Sequence, residues 1–388
     1  MQLPDLMSFH LPADLLDRPT PYYLYDLDLL ERTLHALQQA AQAHHVQVHY
    51  ALKANANLPV LERVQQAGFG ADCVSGNEVQ RALDAGFAPD HIVFAGVGKS
   101  DAEINRALAA DIWCFNAESG QELEVLNELA GAQGRRARVA LRVNPNVDAH
   151  THHYITTGLD ANKFGINLSD LPATVELLES LPHLELVGLH AHIGSQITNL
   201  SVFEKLSHKI NELQTWLEDK GYHLPHLNVG GGLGINYDDP DTDPIPDFEA
   251  YFAAFDQHLH RRTGQQVHVE LGRSVVAQCG TLVSRVLYVK QSQQTNFAIL
   301  DAGMTELIRP ALYGSHHHIQ NITSTSETEK TYDVVGPICE SSDTFGKGIL
   351  LPETKRGDLI ALRSAGAYGE VMSSEYNLRE KATALYVG

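Results

Sequence analysis

The stretch VQVHYALKANANLPVLERVQQAGFGADCVSGNEVQRALDAG, residues 46–86, decides the reading of the fold. VQVHYALK (46–53) and GADCVS (70–75) are short runs rich in apolar and β-branched residues, and each leads into a segment with helical spacing, NLPVLERVQQAG (57–68) and SGNEVQRALDAG (75–86). Working outward, the same alternation recurs. LERTLHALQQAAQ (30–42) is helix-like, and further strand-like runs stand at HIVFAG (91–96), IWCFNA (112–117), RVALRVNP (138–145), LVGLHAHIG (186–194), HLNVGGG (226–232) and VHVELGR (267–273). An open, doubly wound sheet uses the same pattern, but eight β/α repeats over about 250 residues favour a closed (β/α)8 barrel of the TIM type, an α/β fold.

After residue 275 the rhythm changes to strands joined by turns: TLVSRVLYVK (281–290), FAILDAG (297–303), TYDVVGPI (331–338), DLIALRS (358–364) and TALYVG (383–388). The early aromatic stretch in PTPYYLYDLDLL (19–30) reads as one more such strand. The expected organisation is therefore a barrel over 24–275 and an all-β domain made of 1–23 and 276–388. STSETEK (324–330) is the expected mobile loop.

Composition narrows the function classes. With 43% apolar and 20% charged residues the chain is an ordinary globular one, and 48 acidic against 28 basic side chains give a net charge of −20, which repels nucleic acid and anionic membranes. No run approaches the roughly 18 apolar residues of a membrane span, and MQLPDLMSFH has no signal-peptide character, so a cytoplasmic protein is expected. Cys73, Cys114, Cys279 and Cys339 form no C-x-x-C pair and are read as reduced thiols, with no metal site.

Several residues carry chemistry. Lys53 ends a strand at the end where barrels present catalytic groups, and a lysine in a partly apolar mouth forms Schiff bases; the bland reading is a side chain reaching for solvent. Gly230, Gly231 and Gly232 follow the seventh strand, where barrels commonly bind phosphate, although a sharp turn alone also calls for glycine. His190 and His192 alternate along one strand face, open to core packing, stacking on a flat cofactor, or zinc. Glu270 and Arg273 share the rim with Lys53, either as a local ion pair or as a carboxylate that keeps a pyridinium nitrogen protonated. Arg142, Arg309 and Lys163 add positive charge suited to a small anion. His316, His317 and His318 read as a solvated or interfacial cluster.

Taken jointly, YALKAN (50–55), SGNE (75–78), NKFG (162–165), HAHIGSQ (190–196), GGGLG (230–234), ELGR (270–273), RPALYGSHH (309–317), CESSD (339–343) and AGAYG (365–369) resemble the pyridoxal-phosphate decarboxylases of the alanine-racemase-like fold, and within them the diaminopimelate decarboxylases. The resemblance implies pyridoxal 5'-phosphate bound covalently to Lys53, with His192 stacked on the ring and Glu270 on the ring nitrogen. It places Asp72 and Arg142 in the network around them. Ser195, Gly230, Gly231, Gly232, Gly272, Arg273 and Tyr368 make the remaining cofactor contacts. It further implies meso-2,6-diaminopimelate as substrate and L-lysine as product. Arg273, Arg309, Tyr313 and Tyr368 then contact the substrate, Glu340 reads its far amino group, and Cys339 serves as proton donor. Cys339 and Glu340 would come from the second subunit of a homodimer whose active site lies at the interface. Leu271 is a departure, standing where the family usually has proline and leaving the aim of Arg273 open. The alternatives are a decarboxylase of another basic amino acid or polyamine precursor, an alanine racemase, and a non-catalytic pyridoxal-phosphate-binding regulator.

Overall fold

In the computed structural model, which describes residues 11–147 and 163–388, β1 (Tyr22–Asp26) runs into helix α1 (Leu27–Ala43), and a parallel series follows. Its strands are β2 (Val46–Ala51), β3 (Gly70–Cys73), β4 (Ile92–Phe94), β5 (Cys114–Ala117) and β6 (Ala137–Asn144). A two-residue β7 (Ile166–Asn167) pairs with β6, and β8 (Leu184–His190), β9 (His226–Asn228) and β10 (Gln266–Leu271) complete the series. The pairing β5–β4–β3–β2–β10–β9–β8–β6 returns to β5 and closes an eight-stranded parallel barrel, as expected. The opening MQLPDLMSFH and Asn162 of the NKFG run lie outside the described residues.

The helices form where apolar side chains recur every three to four residues. In α7 (Ser201–Asp219), which follows β8, the buried positions Val202, Phe203, Leu206, Ile210, Leu213 and Leu217 make one stripe. The helices after β3 and β5 start on serine caps, with Ser75 Oγ accepting from Glu78 N and Ser119 Oγ from Glu122 N, both at 3.1 Å. Such caps turn the chain sharply at the carboxyl ends of the strands, where the side chains discussed below converge.

The chain divides into two compact units, Thr33–Gly234 with Asp247–Arg273, and Met1–Arg32 with Ile235–Pro246 and Ser274–Gly388. The second unit is built on β11 (Gly280–Gln291), β12 (Asn296–Leu300), β13 (Ile319–Asn321), β14 (Glu329–Val335), β15 (Thr344–Pro352), β16 (Leu359–Leu362) and β17 (Thr383–Val387). The first half of β11 pairs with β1 and β16, and its second half with β12, so this long strand is shared by two mostly antiparallel sheets. β1 is flanked by β11 and, in parallel, β17, which explains why Tyr22, Tyr23 and Tyr25 are all fully buried.

The sequence reading did not anticipate β13 and β15. The second, TFGKGILLP, breaks its alternation with two glycines and a lysine, and β13 is a three-residue strand next to a run of histidines. The expected mobile loop STSETEK is tied down instead: Asn321 Oδ1 accepts from Thr323 N and Ser324 N, Ser324 Oγ donates to Glu353 O at 2.9 Å, and Glu329 already belongs to β14.

Candidate active site

Lys53 lies just past β2, in the single helical turn Leu52–Ala54, with its side chain 41% exposed. Its Nζ donates to Asp72 Oδ2 at 3.0 Å, and Asp72, on the neighbouring β3, is fully buried. Burial and then the nearby negative charge of Glu270 raise the Asp72 carboxyl above its ordinary range, against the pull of Lys53. The pair places an amine at the rim and fixes it with a carboxylate that water does not reach.

Glu270 is buried near the end of β10 and is held by three donors. Asn116 Nδ2 (3.0 Å) and Asn228 Nδ2 (2.7 Å) donate to Oε1, and His190 Nε2 donates to Oε2 at 3.0 Å. β5 is not a neighbour of β10, so the Asn116 bond crosses the barrel interior. Burial opposes charge on Glu270, but His190 and Lys53 outweigh it and hold the carboxyl below the usual carboxylate range. His190, open on sequence grounds to core packing, cofactor stacking or zinc, is thus a partner of Glu270. Asn116 and Asn228 were missed; the available signal was an asparagine in each of two short, buried strands, where that residue is depleted.

Arg142, on β6, donates to Glu118 Oε1 at 2.7 Å, and both side chains are buried. Glu118 also accepts from Gly96 N and Gly165 N at 3.0 Å, so one carboxylate ties the ends of three strands or loops together. Lys163 stands over the Phe164 ring at 5.3 Å, and the Arg142 guanidinium stands over the same ring at 4.8 Å. Lys99 is buried, pairs with Glu122 at 2.6 Å and donates to the main-chain oxygen of Asn116 at 2.8 Å, which fixes the strand end that carries that asparagine. Neither Glu118 nor Lys99 was identified from sequence.

The glycine turn is required by packing. A Cβ on Gly231 would lie 1.8 Å from Glu270 O, and Gly232 has φ of 105°. Gly231 N donates to His192 Nδ1 at 3.2 Å, so the ring proton sits on Nε2. His192 is beyond the end of β8 and not on its face as expected; burial and the positive charges of Arg142 and Lys53 push it down to about 3, keeping it neutral. Arg273 reaches Ser195 Oγ through Nε (3.2 Å) and Nη2 (2.8 Å). Leu271 is buried in β10 opposite Tyr50, and Gly272 is buried beside it, so the turn that aims Arg273 is held without a proline.

On the second unit, Arg309 opens α10 (Arg309–Tyr313), is 4% exposed and donates through Nη1 to Tyr237 Oη and to His317 Nε2, both at 3.0 Å. Tyr313 ends the same helix, half-buried. Within the histidine run, where a solvated or interfacial cluster is expected, His316 is exposed but His317 is 1% exposed, because it is the acceptor for the buried Arg309. Cys339 and Glu340 are exposed; Glu340 Oε1 accepts from Tyr376 Oη at 2.8 Å. Tyr368 has φ of 56°, a left-handed conformation uncommon for a residue other than glycine and a mark of a constrained site.

These residues suit a flat, anionic, nitrogen-bearing cofactor. Asp72 Oδ1, Asn116 Oδ1 and His190 Nδ1 are buried polar atoms with no hydrogen-bond partner among the described residues, and they surround the amine and carboxylate of Lys53 and Glu270. In chemical terms Lys53 is an amine able to form a Schiff base, Glu270 an ionised hydrogen-bond acceptor, His192 a neutral ring, and Ser195 with Arg273 a pair of donors able to take an anion.

Residues 27–277 match the family model described as the pyridoxal binding domain of pyridoxal-dependent decarboxylases. The diaminopimelate decarboxylase of Bacteroides thetaiotaomicron is 56% identical over 362 residues, covering 93% of this chain and 94% of that one. That of Vibrio cholerae is 44% identical, covering 95% and 87%. Among solved structures, diaminopimelate decarboxylase from Helicobacter pylori complexed with L-lysine superposes with a TM-score of 0.90 at 40% identity, covering 96% of this chain and 92% of that one.

Proposed function

The chain belongs to the pyridoxal-dependent decarboxylases, and we propose that within that family it converts meso-2,6-diaminopimelate to L-lysine and carbon dioxide, the last step of lysine biosynthesis. The observation that carries the reading is the barrel rim, where the Lys53–Asp72 pair stands within the electrostatic reach of a Glu270 carboxylate that His190 and Lys53 keep ionised and three donors hold in place. The near full-length likeness to diaminopimelate decarboxylases supports the choice of substrate.

Pyridoxal 5'-phosphate, when bound, supplies an electron sink for the electron pair left behind as carbon dioxide departs. Lys53 would hold it covalently, Glu270 would favour a proton on its ring nitrogen, and His192 would lie against it as a neutral ring. Asp72 and Arg142 support this network. Ser195, Gly230, Gly231, Gly232, Gly272, Arg273 and Tyr368 hold the phosphate and ring. Arg273, Arg309, Tyr313 and Tyr368 bind substrate, Glu340 takes the distal amine, and Cys339 delivers a proton to the carbon that lost its carboxylate. The exposure of Cys339 and Glu340 supports a homodimer in which they serve the site of a second copy.

The test is release of L-lysine and carbon dioxide from meso-diaminopimelate by the cofactor-loaded protein, with ornithine and arginine in parallel. Product from diaminopimelate alone supports both chemistry and specificity. Comparable rates on ornithine would overturn the specificity, and no product from any of the three would overturn the activity.

A further inference from the structure

Arg309 can only donate hydrogen bonds, so His317 Nε2, 3.0 Å from its Nη1, must be an acceptor. The other ring nitrogen, Nδ1, donates to Arg363 O at 2.9 Å. His317 is therefore neutral and confined to one tautomer. The second Nη1 hydrogen goes to Tyr237 Oη, and the Arg309 guanidinium also stands over the Tyr237 ring at 5.2 Å. Both Nη1 hydrogens lie in the guanidinium plane, so two acceptors on one nitrogen fix that plane against rotation. Tyr237 is supplied by the segment Ile235–Pro246, an excursion between β9 and α8 (Phe248–His258) that groups with the β unit and is anchored by the Arg363–Asp241 ion pair at 2.8 Å.

We propose that His317 and Tyr237 are positioning residues that aim Arg309 at the substrate's distal carboxylate and so set the preference for substrates that carry one. The inference rests on the reading of Arg309 as a carboxylate contact. Both acceptors are uncharged, so they orient the guanidinium without competing, as an aspartate or glutamate at either place would, for the charge that recognises the substrate.

L-lysine retains the distal carboxylate and 1,5-diaminopentane lacks it, so calorimetric binding of the two to the holoenzyme isolates this contact. His317→Ala should weaken L-lysine about tenfold or more while changing the diamine by less than about threefold, with KM for diaminopimelate rising more than kcat falls. His317→Gln, whose Oε1 replaces Nε2 as acceptor, should recover most of the loss, and Tyr237→Phe should show a smaller loss of the same selectivity. Equal weakening of both ligands, or no change for L-lysine in either the alanine or the phenylalanine variant, would overturn the proposal, as would a parent enzyme that binds the diamine as tightly as L-lysine. Failure of the parent to decarboxylate diaminopimelate would instead count against the assigned reaction, because the binding ratio is read without turnover.

Discussion

Two layers of the same barrel treat buried ionisable groups in opposite ways. At the rim, Glu270 on β10 and Asn228 on β9 belong to a network of charged and hydrogen-bonded groups: Lys53 with Asp72, Glu270 with His190, and Arg142 with Glu118. Two residues back along the same two strands stand His268 and His226, and with His49 of β2 they form a chain of imidazoles. His49 Nδ1 donates to His91 O (3.2 Å), His268 Nδ1 to His49 Nε2 (3.0 Å), and His226 Nδ1 to His268 Nε2 (3.0 Å). Trp113 stacks on His268 at 4.5 Å and on His49 at 5.5 Å. Burial lowers all three histidines, and in His49 it outweighs the opposing pull of the Glu270 carboxylate and sets the ring at about 4. Gly70 makes room for the first link, since a Cβ there would lie 2.5 Å from His49 Nδ1. Glu270 and His49 are both buried and adjacent in register; burial prevails at His49, whereas at Glu270 the hydrogen bond from His190 and the charge of Lys53 prevail over it.

The sharpest way to break the contrast is at the rim. Lys53→Ala should lower carbon dioxide release by at least about 10⁴-fold with little change in thermal midpoint, and near-parental activity would remove the amine from the reaction. Glu270→Gln keeps shape but removes the charge, and turnover should fall by roughly 10²- to 10³-fold in steady-state assays. The base predicts a stability effect instead. Unfolded histidine titrates near 6.5 and folded His49 near 4, so between those values the unfolded chain binds more protons. Stability should therefore fall as pH drops from about 6.5 to about 4, by about 3 kcal/mol for His49 alone. Denaturant midpoints across that range, with His49→Gln flattening the slope, are the check. The smallest effect on catalysis belongs to His268→Leu. It should cost about 1–3 kcal/mol of stability, because it strands the polar atoms on either side, yet change kcat by less than about threefold. A large loss of activity in that folded variant would merge the two layers into one functional unit.

The barrel was legible because each of its strands is a local apolar run followed by a helical period, and most strands of the β unit were legible for the same reason. β15 was not, since its glycines and lysine obscure the alternation. Lys53, Glu270 and the glycine turn stood in recognisable local contexts. Asn116, Glu118 and Lys99 did not: Asn116 meets Glu270 across 154 residues of sequence and the width of the barrel, and no local pattern carries that information. His317 was misjudged for a related reason, because in a run of three histidines only the hydrogen bond it accepts from Arg309 distinguishes the buried one from its solvated neighbour.

The parallel pairing of β1 with β17 has a consequence for biosynthesis. Tyr22 lies opposite Thr383, so one edge of β1 receives its partner only after some 360 further residues have been made. At about 5–20 residues per second that is a wait of about 20–70 s on the ribosome. During that time an aromatic strand, YYLYD, has an open edge of unpaired amides and carbonyls. Pairing with β11 covers the other side of β1 and leaves this edge open, so shortening the chain before β17 would make that vulnerability permanent.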